Sequence, residues 1–146
     1  MGGTLRIFQA AYYTGSILQL LTSPIHLLGH LQKPNPANDT ERQLLDLLAN
    51  YKTDFGAGFI RSMGDILSGL SLQYSIFILM IGLINLLALR QQSNARFLRN
   101  LSWLNFSFMM ICSVNAYVYF FLPPLILFVL PAIAFLVAAI TAPREG

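Results

Sequence analysis

A run of 44 residues, 100–143, contains no Asp, Glu, Lys or Arg, and it limits the folds open to this chain. As one α-helix the run would measure about 66 Å, roughly twice the hydrocarbon thickness of a bilayer. It must therefore turn back on itself. Two further runs, 7–32 and 66–89, also lack formal charge and are long enough to cross a bilayer.

Composition agrees with a lipid-facing surface. Apolar residues make up 55% of the chain and charged residues only 10%, against roughly 25% charged residues in soluble domains. The net charge of +3 reflects few acids, and no cluster of Lys and Arg alternates with aromatics. Nucleic acid is therefore not an expected partner.

Pro123 and Pro124 are the predicted turning point of the long run, because proline denies a helix a hydrogen bond and restricts the residue before it. The predicted fold is all-α: a four-transmembrane-helix bundle forming one domain over residues 1–146. The predicted spans are 7–32, 65–89, 97–122 and 124–142. Pro24 and Pro131 fall inside helices and predict kinks.

The longest polar segment lies between the first two spans. Residues 33–40 read as a loop, and Thr40 to Gln43 fit a capping box that starts a short amphipathic helix over 41–54. This helix is predicted to lie along the membrane interface or to cover the end of the bundle. Residues 55–59, Phe-Gly-Ala-Gly-Phe, are predicted to be a flexible entry into the second span.

The distribution of positive charge predicts the orientation. With four spans, both termini and the connection between spans two and three share one side of the membrane. That side carries Arg6, Arg90, Arg96, Arg99 and Arg144, and the other carries Lys33, Arg42, Lys52 and Arg61 together with five acids. Both termini are therefore predicted to lie inside.

Polar and small residues recur at helical spacing within three predicted spans. In the first span they are Tyr12, Ser16, Gln19, Ser23, His26 and His30. In the second they are Ser68, Ser71, Ser75, Gly82 and Asn85, and in the third Ser102, Asn105, Met109, Cys112 and Ala116. Because lipid cannot satisfy polar groups, these stripes predict the faces along which the helices pack.

Four residues form the candidate site: His26, His30, Arg61 and Asp65. The two histidines lie one turn apart on one helix face, and Asp65 opens the next span on the same side of the membrane, with Arg61 one turn before it. The cluster is predicted to be a structural clasp between helices or a site for a polar headgroup, a quinone or an anion, with haem as a further alternative. No metal site is predicted, because the chain has no other histidine and only one cysteine.

The chain resembles a small family of uncharacterised four-helix bacterial membrane proteins. The resemblance rests on Gly29-His30 late in the first helix and on residues 61–72, RSMGDILSGLSL, entering the second. An Arg-rich connection to the third span and the Phe-Phe-Leu-Pro of residues 120–123 add to it. A weaker similarity to DoxX-like proteins rests on span number. The resemblance implies a fold and a bacterial membrane location, and no activity.

Three functions are open at this point. The first is a non-enzymatic accessory or scaffold subunit of a membrane assembly, with lipid and other subunits or a second copy of the chain as partners. The second is a lipid-, quinone- or haem-binding protein that uses the four-residue cluster. The third is a small oligomeric channel or transporter, although an ion path usually needs buried charge.

Overall fold

The structure is a computed structural model that describes residues 2–32, 34–91 and 94–143. Four long helices and one short helix dominate it, with a small β-hairpin before the second long helix. The elements are α1 (Gly2–Leu31), α2 (Asp39–Asn50), β1 (Lys52–Asp54), β2 (Ile60–Ser62), α3 (Met63–Arg90), α4 (Ala95–Tyr119) and α5 (Leu122–Thr141).

Three of the described helices, α3, α4 and α5, are long and apolar enough to cross a membrane. Their outward faces carry large apolar side chains such as Leu70, Ile111 and Ile133, each more than half exposed. The all-α, membrane-protein prediction is thus confirmed, and three of the four predicted spans have suitable helices. Helix α1 has 30 residues but is not among these three, and its crossing of the membrane stays a prediction.

The long helices pack side by side, with neighbours antiparallel. Helix α1 contacts both α3 and α5, and α5 also contacts α4, whereas α3 and α4 touch only sparsely. Contacts between α1 and α3 join Tyr12 to Asn85 and Ser23 to Ser75, so rising numbers in one helix meet falling numbers in the other. The N-terminal end of α1 therefore lies beside the C-terminal end of α3.

Two apolar clusters fill the interior, one toward each end. The first joins α1, α4 and α5 through Phe8, Tyr12, Leu98, Phe135, Ala138 and Ala142. The second joins α3, α4 and α5 through Ile78, Met109, Ala116, Phe128 and Ala132. Close helix approach depends on small residues: a Cβ added to Gly82 of α3 would lie 3.1 Å from Cα of Leu20 in α1.

The turn between the last two helices lies earlier than predicted. Helix α4 ends at Tyr119 rather than near Leu122, and α5 starts at Leu122 rather than Pro124. Pro123 and Pro124 sit inside the first turn of α5, where the helix needs no N–H from them. Helices α1 and α5 continue through Pro24 and Pro131.

The segment between α1 and α3 differs more from the prediction. Asn38 caps α2, because its side chain accepts a hydrogen bond from the Glu41 N–H at 2.9 Å and Glu41 accepts one from Ala37 N at 2.7 Å. The predicted cap at Thr40 was therefore wrong.

The predicted helix 41–54 was also too long, since α2 ends at Asn50 and 52–54 form strand β1. Strands β1 and β2 pair antiparallel, with Lys52 opposite Ser62 and Asp54 opposite Ile60. The tight turn contains three successive positive φ angles, at Gly56, Ala57 and Gly58. Glycine adopts such angles without a steric penalty. Residues 55–59, which were predicted to be a flexible entry, therefore form the defined turn of a hairpin.

Candidate functional site

The polar stripe of α1 is buried along most of its length. Tyr12, Ser16 and Gln19 are completely covered and Ser23 nearly so, whereas His26 and His30 are half-buried. The stripes of α3 and α4 also turn inward at Ser75, Asn85, Ser102 and Asn105. The predicted packing faces are therefore the faces that the helices bury.

Asn85 is the centre of a buried hydrogen-bond network that joins three helices. Its side-chain oxygen accepts hydrogen bonds from the Tyr12 hydroxyl at 3.1 Å and from Asn105 Nδ2 at 3.0 Å. Its amide nitrogen donates to Gln19 Oε1 at 2.8 Å and to Asn105 Oδ1 at 3.0 Å. One amide thus ties α1 and α4 to α3, although the backbones of α3 and α4 otherwise make few contacts.

Gln19 leaves one donor of this network without a partner. Its side chain is fully buried, and Nε2 has no hydrogen-bond partner among the described residues, although Oε1 accepts a hydrogen bond from Asn85. A buried unpaired donor costs free energy, so this atom is a weak point in an otherwise closed network.

A second set of polar contacts joins α1 and α3 nearer their other ends. Ser23 donates to the Ser75 carbonyl at 2.8 Å, and His26 Nε2 lies 2.8 Å from Ser71 Oγ. The His26 ring also meets the Tyr74 ring edge-on, with the centroids 4.8 Å apart. Together with the Asn85 network, these contacts extend over about 21 Å of α3, from Ser71 to Asn85.

The candidate site residues lie in two places. His26 and His30 are on α1, and Asp65 and Arg61 are at the start of α3 and in β2. Ser71, the partner of His26, is about 9 Å along α3 from Asp65. Among the described residues, no ion pair of 4 Å or less joins Asp65 to His26, His30 or Arg61.

Asp65 caps α3. Its carboxylate accepts a hydrogen bond from Ser62 N at 2.9 Å, and Ser62 Oγ accepts one from Asp65 N at 3.1 Å, which completes a capping box. The carboxylate remains exposed to solvent. The sequence did not predict this role, because residues 52–54 were assigned to a helix and residues 55–59 to a flexible entry, rather than to a hairpin that delivers Ser62.

Arg61 and Asp65 share one hollow on the surface. It is lined by Lys52, Ile60, Arg61, Asp65 and Ile66. Arg61 donates a hydrogen bond from Nη1 to the Ile60 carbonyl at 2.7 Å, and its guanidinium lies 5.8 Å from the centroid of the Phe59 ring. The hollow therefore presents two cations and one carboxylate beside two isoleucine side chains.

Lys52 was not among the predicted site residues. Its place opposite Ser62 in the hairpin brings it to the hollow, and only the strand pairing makes that clear. His26, by contrast, was predicted to belong to the site, but it lies outside the hollow and its Nε2 contacts Ser71 Oγ. Within the residues that the structure describes, no group of three or more His, Cys, Asp or Glu side chains is placed to hold a metal ion.

Comparison with models of protein families, with curated proteins and with solved structures gave no match. The resemblance to four-helix bacterial membrane proteins is therefore still a prediction.

Proposed function

We propose that this chain is a four-span protein of a bacterial cytoplasmic membrane that serves, without enzymatic activity, as an accessory subunit of a larger membrane assembly. Both termini lie on the cytoplasmic side, and the α2–hairpin segment lies on the other. The partner in this proposal is another membrane-protein subunit that contacts α2.

The packing of α1 supports the fourth span. Its polar side chains bond to α3 and to their own helix, while Leu21, Ile25 and Leu28 on its outer face are exposed. A polar helix can stand in lipid when its polar groups find partners inside the protein. The Arg residues at positions 6, 90, 96 and 99 lie at the end opposite the hairpin, which agrees with the positive-inside rule.

An exposed apolar stripe on α2 carries the proposal of an accessory role. Leu44 and Leu47 lie about one turn apart on α2 and are 55% and 58% exposed, and Tyr51, directly after the end of the helix, is 68% exposed. The helix is nevertheless held in place, since the Leu48 carbonyl lies so close to Gly64 of α3 that an added Cβ would be 2.8 Å from it. A fixed helix with an uncovered apolar stripe is typical of a contact surface.

The charge of α2 favours a protein rather than lipid as the partner of its apolar stripe. Helices that bind membrane surfaces are rich in Lys and Arg on the polar face. Here the polar residues include three acids, Asp39, Glu41 and Asp46, against the one cation Arg42. A subunit that offers an apolar groove with a basic rim would fit this surface better than an anionic bilayer would.

A photo-crosslinking amino acid placed at Leu47 in native membranes tests the proposal. We expect one discrete adduct with another membrane protein, and a much weaker one from the same probe at Asp46, which lies on the adjacent polar face. Adducts with lipid alone would contradict the accessory role. An adduct with a second copy of this chain would also contradict it and would indicate a homo-oligomer.

A further inference from the structure

We infer that the hollow at the start of α3 binds the headgroup of a phospholipid that carries both a phosphate and a primary amine. The hollow is formed by Lys52, Ile60, Arg61, Asp65 and Ile66. The inference is independent of any protein partner at α2 and requires only that α3 begins at the membrane surface.

The cations of the hollow fit the phosphate. Lys52 and Arg61 are on paired strands, at positions opposite Ser62 and Thr53, and both line the same hollow. Neither makes an ion pair within 4 Å among the described residues, although both interact electrostatically with Asp65 across the hollow. The Arg61 side chain is held between the Ile60 carbonyl and the Phe59 ring, which reduces the conformational entropy lost on binding.

The carboxylate of Asp65 fits the amine. Its capping bond from Ser62 N fixes its position at the first turn of α3, and the group remains exposed to the hollow. A primary ammonium can donate hydrogen bonds to a carboxylate, whereas a trimethylammonium cannot. The site therefore discriminates between amine and choline headgroups.

The position of the hollow favours a lipid over a soluble phosphate ester. Ile60 and Ile66 line it, and Phe59 and Met63 beside it are more than half exposed. Helix α3, which starts at Met63, is apolar enough to span the membrane. A headgroup at this level would leave its glycerol and acyl chains beside apolar side chains.

The test uses the full-length protein in detergent micelles, titrated with phosphatidylethanolamine, phosphatidylcholine or phosphatidylglycerol and followed by native mass spectrometry. We expect phosphatidylethanolamine to be retained best. Lys52→Ala and Arg61→Ala should each weaken its binding about fivefold. Asp65→Asn keeps a capping oxygen and should remove the preference for the amine headgroup over phosphatidylglycerol.

Arg42→Ala is the matched control, because Arg42 is an exposed cation on α2 that pairs with Asp39 outside the hollow. It should bind lipid like the wild type. Equal retention of the three lipids, or unchanged binding in the Lys52 and Arg61 variants, would overturn the inference. Inorganic phosphate and glycerophosphoethanolamine serve as soluble probes. Competition by phosphate alone, at the same concentration as the lipid, would assign the site to a soluble anion and overturn the inference of a lipid ligand.

Discussion

The side chains of Asn85 and Asn105 donate hydrogen bonds to each other across α3 and α4, and each bond is 3.0 Å long. The pair is buried, and the backbones of the two helices make few other contacts. In lipid the alternative to this pairing is an unsatisfied amide in hydrocarbon, so the pair selects the register in which α3 and α4 meet.

Replacing one asparagine of the pair should lower the stability by more than the loss of a single hydrogen bond. We expect Asn85→Leu to lower the free energy of unfolding by about 2 kcal/mol, because the Tyr12, Gln19 and Asn105 groups then lose their partner. Unfolding from mixed micelles by a denaturing detergent measures this change.

The double variant Asn85→Leu/Asn105→Leu should cost less than the sum of the single variants, by roughly 1 kcal/mol, since both amides are then removed together. Asn115→Leu is the control, because Asn115 lies on the exposed face of α4. Strict additivity of the pair, or an equal effect at Asn115, would show that the amides do not couple.

Gly82 should tolerate no side chain. Gly82→Leu would place its Cβ 3.1 Å from Leu20 Cα and 3.2 Å from Leu20 N, and backbone atoms cannot turn aside as a side chain can. We expect a loss of about 1–3 kcal/mol in the same unfolding assay. Gly69→Leu, in the same helix but with open space around it, should be nearly neutral. Equal losses at both positions would contradict the close packing of α1 on α3.

A side chain at position 64 should disturb the docking of α2 on α3 and leave the rest of the fold unchanged. An added Cβ in Gly64→Ala meets the Leu48 carbonyl oxygen at 2.8 Å, so α2 must move away from α3. Hydrogen exchange should become faster in residues 39–62 and stay unchanged in α4. Gly69→Ala should leave both regions as they are. Faster exchange throughout the chain would mean that Gly64 supports the whole fold instead.

His26 should behave as a clasp between α1 and α3. We expect His26→Phe and Ser71→Ala each to lower stability by less than about 1 kcal/mol, with a coupling of about 0.6 kcal/mol between them, as is usual for a hydrogen bond between membrane helices. His30→Ala should change little. A Soret band in the purified protein that disappears in His26→Phe would contradict the clasp and would establish haem binding.

Hydrophobicity and helical spacing predicted much of the helical part correctly. Runs without charge located α3, α4 and α5, and the spacing of Tyr12, Ser16, Gln19 and Ser23 identified the buried face of α1. Both signals follow from the same fact, since a group that lipid cannot satisfy must face protein. Charge-free runs cannot define a helix end, which is why α5 was predicted to start at Pro124 rather than at Leu122.

The hairpin could not be predicted from the same signals. Tyr51 and Phe55 continue the helical spacing of α2, although Tyr51 already has an extended backbone and Phe55 belongs to the turn. The pairing of β1 with β2 depends on a turn with successive positive φ angles. The sequence Gly56-Ala57-Gly58 permits this turn but is not sufficient to predict it. Lys52 was missed at the hollow for this reason. Cross-helix partners such as Asn85 and Asn105 also depend on how the helices pack, which spacing within one helix does not show.

Cysteine accessibility in intact spheroplasts tests the proposed membrane orientation most directly. In a Cys112→Ala background, Thr53→Cys in β1 and Gln91→Cys at the end of α3 lie at opposite ends of α3. With both termini inside, a membrane-impermeant maleimide should label Thr53→Cys in intact spheroplasts and Gln91→Cys only after the membrane is permeabilised. Labelling of both positions before permeabilisation, or of Gln91→Cys alone, would contradict the proposed orientation.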